Sequence, residues 1–173
     1  TPAGYEIPPQ AEPVVPLTCL ELEEGMEVTN LVPLGNGRLV AECFGWHPDG
    51  DVDGGYDFRA YLVDTLKDQV LATADSAWGT VLGQRQNGEI VMMNTMEGVF
   101  RFYDASLSLL REPAMPEWPF GTWFDREDDC LYGWEDNRLI RTSFEGVTET
   151  LHTFEEGALV DFYDPATGLA VYT

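Results

Sequence analysis

Leu31-Val32-Pro33-Leu34-Gly35-Asn36-Gly37-Arg38-Leu39-Val40-Ala41-Glu42-Cys43 places an Asn-Gly pair between two apolar runs. Both central residues of a type I′ turn need positive φ, which Asn and Gly tolerate, so this stretch predicts a tight antiparallel hairpin. The same arrangement returns along the chain. Asn87-Gly88 joins Thr80-Val81-Leu82-Gly83 to Glu89-Ile90-Val91-Met92-Met93, and Asp128-Asp129 joins Thr122-Trp123-Phe124 to Cys130-Leu131-Tyr132-Gly133-Trp134. Ala166-Thr167-Gly168 marks a fourth turn. A second hairpin follows each of the first three: residues 56–63 turn at 65–68 into 69–73, residues 99–103 turn at 104–107 into 108–111, and residues 138–143 turn at 145–146 into 148–154. Each unit is therefore four short strands in about 40 residues. A lone strand is expected over residues 14–22, and no helix-period stretch with a cap and a stop competes anywhere. Gly79, Gly121 and Gly157 recur near the start of a unit's first strand, where small residues are expected if the units crowd together.

Four antiparallel strands repeated at this period resemble the blades of a β-propeller, and the resemblance covers residues 14–173. It implies an all-β fold, a partial or small propeller built from four-stranded repeats. Tyr163-Asp164-Pro165-Ala166-Thr167-Gly168 is similar to the turn of quinoprotein-like and surface-layer propeller repeats, although no motif that would name a subfamily is complete. Only two strands follow the third unit, so the resemblance implies either a four-bladed ring short of one strand or the N-terminal half of a longer propeller, whose edge strands are covered by further sequence or by another copy of the chain. Ahead of it, residues 1–13 are Pro-rich and read as an extended tether.

The chain has 173 residues and a formal net charge of −22, with 31 acidic against 9 basic side chains. Such a surface repels phosphate backbones and anionic lipid heads, so nucleic acid is excluded as a partner. Its 44% hydrophobic residues are enough for a buried core. No apolar run reaches the roughly 18 residues of a membrane-crossing helix. An acidic, Lys-poor, Trp- and Gly-rich β protein with an N-terminal tether is expected outside the cell or on its surface. Cys19, Cys43 and Cys130 fall singly in strand-like runs and are expected as buried thiols, with one disulfide left open as an alternative.

The sharpest chemical motif is Asp49-Gly50-Asp51-Val52-Asp53-Gly54-Gly55-Tyr56-Asp57, inserted between the second and third strands of the first unit. Carboxylates at alternate positions of a tight loop converge on one point, which suits the six to eight oxygens that calcium takes. The spacing resembles the calcium loops of integrin α-subunit propellers. That resemblance makes Asp49, Asp51, Asp53 and Asp57 side-chain ligands and Gly55 a carbonyl ligand; the bland alternative is a solvated Asp/Gly turn. A second acidic group, residues 125–129 with Glu135 and Asp136, sits on turns and reads as solvated rather than as an acid/base pair. Trp78 and Trp118 occupy equivalent repeat positions and read as packing between units, whereas Trp46, beside the insertion, reads as exposed. His47 and His152 stand apart from any nucleophile motif. The expectation is a non-catalytic binding or scaffold module for a protein or carbohydrate ligand, the alternative being a glycosidase or lyase with carboxylates at the propeller axis.

Overall fold

The computed structural model describes residues 17–46, 55–75, 79–115, 120–158, 160–164 and 167–172. Fourteen strands are described there, and within each sheet they form an antiparallel meander in chain order. The first sheet holds β1 (Met26–Gly35), β2 (Arg38–Trp46), β3 (Tyr56–Asp64) and β4 (Gln69–Asp75). The second holds β5 (Gly79–Gln84), β6 (Ile90–Asn94), β7 (Val99–Tyr103) and β8 (Leu109–Arg111). The third holds β9 (Phe120–Asp125), β10 (Cys130–Glu135), β11 (Arg138–Ser143) and β12 (Thr148–Thr153), and β13 (Val160–Asp164) pairs with β14 (Leu169–Tyr172) in a hairpin of its own. The fold is all-β, in the four-stranded repeats read from the hairpin spacing.

Side chains alternate across a strand, so a sheet can feed two cores at once. The second sheet does this. Ile90, Met92 and Tyr103 turn to the first sheet and meet Leu34, Val40 and Leu62. Val91, Phe100 and Phe102 turn the other way and meet Leu131 and Phe144 of the third sheet. A third cluster lies between the third sheet and the last hairpin, where Leu139 and Phe154 pack with Trp123, Trp134 and Tyr163. Strand β5 lies against β1 and β2 before it and against β9 after it, so the first strand of each unit is innermost. This is the stacking of propeller-like blades, and the sheets form an open arc.

The turns show how local chemistry sets this up. Asn36 and Gly37 both take positive φ, 52° and 69°, as the sequence requires of a type I′ hairpin. The second unit departs from that form: only Gly88 is left-handed (φ 92°), and a wider turn closes through Gly88 N–H to Arg85 O and Arg85 N–H to Glu89 O. That is a type I turn followed by a left-handed residue, and Asp129 (φ 51°) takes the left-handed place in the third unit. Because the chain is a meander, the turns between β1 and β2, β5 and β6, and β9 and β10 share one end of the arc. The end of β2 and the start of β3 lie at the other.

Three expectations are corrected. Residues 17–25 are not a strand: the Asp68 carboxylate accepts from Thr18 N–H (2.8 Å), Thr18 O–H and Cys19 N–H (3.0 Å), which replaces a ladder with a side-chain tie. Gly157 has open space around it and φ 88°, so a turn rather than crowding selects it. The crowded glycines are elsewhere; a Cβ on Gly45 would stand 2.0 Å from Gly25 O, and one on Gly83 2.7 Å from the Phe124 ring. Cys43 and Cys130 are buried free thiols, pushed up to about 11 by burial, while Cys19 is half-buried and lies outside any strand. Thiols so raised stay protonated at neutral pH and are poor nucleophiles. No described helix is long and apolar enough to cross a membrane.

Candidate functional site

Glu42 is a buried carboxylate of β2 beside a cavity, within a run of residues buried on both faces of the strand. Its neighbours Val40, Ala41 and Cys43 are buried apolar residues, and Glu42 itself is 6% exposed. It faces the second sheet, where Val81 N–H donates to Oε1 (2.8 Å), while the Asn30 side-chain amide donates to Oε2 (2.7 Å). Burial raises its pKa and the two hydrogen bonds oppose the rise. Phe44, Phe58, Thr80 and Glu42 line an adjoining cavity of about 330 Å³. Both oxygens are thus engaged, and the carboxylate spans two sheets whose backbones would otherwise have only apolar contacts here. Sequence reasoning passed over Glu42; an acidic residue inside Val40-Ala41-Glu42-Cys43 was the available signal, since a charge in a buried run needs partners.

Of the inserted loop, Asp49, Asp51 and Asp53 lie outside the described residues, as do His47, Trp78 and Trp118. Gly55 is described in a turn with φ 80°. Asp57 leads into β3 and its carboxylate is ion-paired to Arg59 at 2.6 Å, an arginine that also holds Glu23 at 2.9 Å. Among the described residues no three His, Cys, Asp or Glu side chains gather as a metal-binding group. The acidic turns are more engaged than a solvated reading expects. Asp129 accepts from Arg85 Nε (2.9 Å) and Nη2 (2.6 Å), Asp128 accepts from the Tyr132 hydroxyl, and Glu135 holds Arg138. Arg85 is itself nearly buried, bonded also to Glu89 at 3.0 Å and stacked over the Phe144 ring at 4.8 Å. It therefore clasps the second sheet to the third, a role that one basic residue in a turn does not announce.

The third interface keeps an opening as well. Its slot, of about 320 Å³, is walled by Leu139, Leu151, His152, Phe154, Tyr163 and Tyr172. Tyr163 stands 5.5 Å from Tyr132 and 6.3 Å from Trp123, and Trp123 stacks on Tyr132 at 5.8 Å. Phe154 meets Tyr172 at 4.8 Å and His152 at 4.6 Å. Tyr172 and His152 are exposed, so an aromatic ladder leads from the core to solvent. Such rings offer apolar faces with polar edges, which suits a ring-shaped or planar guest. Trp46, read as exposed, is 56% exposed in β2. The chain matches no protein-family model and no curated protein.

Proposed function

We propose that this protein is a non-catalytic recognition module of an exported or cell-surface protein, and that it takes its ligand in the aromatic slot between the third sheet and the β13–β14 hairpin. The slot carries the reading: its volume of about 320 Å³ is walled by Tyr163, which packs with Tyr132 and Trp123, and by Phe154, which packs with Tyr172. A pyranose ring or an aromatic side chain of a protein partner has the matching shape. The test is tryptophan fluorescence during titration with neutral oligosaccharides and, separately, with aromatic amino-acid amides. A saturable change with one panel, lost in Tyr163→Ala, supports the reading and names the ligand class; no response to either panel ends it.

Calcium is proposed as a stiffener of the inserted loop, through Asp49, Asp51, Asp53, Gly55 and Asp57. Thermal unfolding against calcium concentration at fixed ionic strength tests this, a saturating rise abolished by Asp51→Ala being expected. Self-association through open edge strands such as β14 belongs to the same proposal and is read by sedimentation. The enzymatic alternative, carbohydrate cleavage, draws on the raised pKa of Glu42 beside its cavity. Glycoside hydrolysis uses two carboxyl groups roughly 5 to 9 Å apart, and Glu42 already spends both oxygens on Val81 and Asn30. Turnover of aryl glycosides that disappears in Glu42→Gln would turn the assignment to that alternative.

A further inference from the structure

Six of the eight arginines, Arg59, Arg85, Arg101, Arg111, Arg138 and Arg141, hold a carboxylate at ion-pair distance. With 31 acidic against 9 basic residues, that is the expectation for any guanidinium in this chain. Arg38 and Arg126 are the exceptions: both are exposed, and neither has an ion pair or side-chain hydrogen bond among the described residues. Both lie near Gly35. Gly35 pairs with Arg38 at the end of the β1–β2 ladder. The Arg126 guanidinium reaches from the turn between β9 and β10 to 3.9 Å from where a Cβ on Gly35 would stand. Gln86 holds that turn in place, its side-chain amide donating to Arg126 O (3.2 Å) and Glu127 O (2.7 Å). Beside Gly35 opens a cavity of about 420 Å³ lined by Asn36, Arg38, Asp64, Lys67 and Gln84.

We propose that a carboxylate group binds at this cavity, held by Arg38 in its wall and by Arg126 beside Gly35 at its edge. The planar fork of a guanidinium matches the two oxygens of a carboxylate. Asp64 stands opposite Arg38 across β2 and β3, but its oxygens are occupied by Leu66 N–H (3.1 Å), Lys67 N–H (3.0 Å) and Lys67 Nζ (3.3 Å). Its negative charge opposes two charges concentrated on one phosphate group more than the single charge of one carboxylate group, which favours carboxylate over phosphate. The ligand class is therefore an organic acid, free or as the acidic side chain or C-terminus of a peptide. The site lies on the first and third sheets and does not depend on the aromatic slot.

The test follows the arginine Nε–H resonances during titration with succinate, acetate and inorganic phosphate, sodium chloride holding the ionic strength constant. Saturable movement of Arg38 and Arg126 together with succinate, weakened about tenfold or more in Arg126→Gln and in Arg38→Gln, is the expected result. Arg111, already paired with Glu89, serves as the still reference, and unchanged thermal midpoints show that both variants fold. Movement that never saturates, an unaltered response in the variants, or tighter binding of phosphate than of succinate would each overturn the proposal.

Discussion

The second and third interfaces of the arc are built from the same repeat and end differently. Between the second and third sheets, Phe100, Phe102 and Phe144 pack edge-to-face at 5.4 to 5.5 Å, and Arg85 seals the turn end with carboxylates from both sheets. Between the third sheet and the β13–β14 hairpin, the rings are as numerous, but Tyr172 is 54% exposed and a slot stays open. What differs is the cover. The third sheet packs on the second through Leu131 and Phe144, whereas the described β13–β14 hairpin packs on the third through Tyr163 and Ala170. The same composition therefore yields core in one place and a ligand-sized opening in the other.

The largest break in this comparison comes from Phe102, fully buried in the closed interface. Phe102→Ala should cost about 3–5 kcal/mol in urea unfolding, the range for removing a buried ring and leaving a cavity. Tyr163→Ala in the open interface should cost no more than half of that; equal losses would mean that the slot is as well packed as the core. Next in size, Arg85→Met should lower stability by about 1–3 kcal/mol, because Glu89 and Asp129 lose a charged donor while remaining partly hydrated. A loss below a few tenths of a kcal/mol would show that the ring cluster alone joins the two sheets.

Glu42 sharpens the contrast with the first interface through pH. Its folded pKa is raised by burial, so the native state binds its proton more tightly than the unfolded chain does. The stabilisation is fully present below the unfolded value of about 4.3 and is lost as pH rises through the folded value. Glu42→Gln should flatten that part of the stability curve from mildly acidic to neutral pH; an unchanged slope would refute a buried titrating carboxylate. The smallest effect concerns Asp68, whose hydrogen bonds from Thr18 and Cys19 hold it at about 2. That contribution is present above the unfolded value of about 3.9 and is lost as pH falls towards about 2. Asp68→Asn should leave the sheets intact and speed proteolytic cleavage within residues 17–25, and an unaltered cleavage rate would count against the tie.

Strand order, hairpin positions and the four-strand repeat were legible because each depends on neighbours in sequence: period-2 alternation and a residue such as Gly37, Asp129 or Gly168 that accepts positive φ. The residues that join one sheet to the next were not legible. Glu42 reaches Val81, Arg85 reaches Asp129, and Arg126 reaches Gly35, each spanning about 40 or more residues. Residues 17–22 of the expected strand failed for a related reason, since the apolar pattern there said nothing of the distant carboxylate of Asp68 that satisfies Thr18 and Cys19.

By itself, then, the amino-acid order determined that this chain makes antiparallel hairpins in a four-strand rhythm, because backbone sterics and side-chain alternation act within a few residues. Which faces close into core, which carboxylates become clasps, and where a slot and two arginines with no carboxylate partner among the described residues are left was decided only by stacking. Those outcomes depend on how far each sheet covers the next and on which turns arrive side by side at one end of the arc.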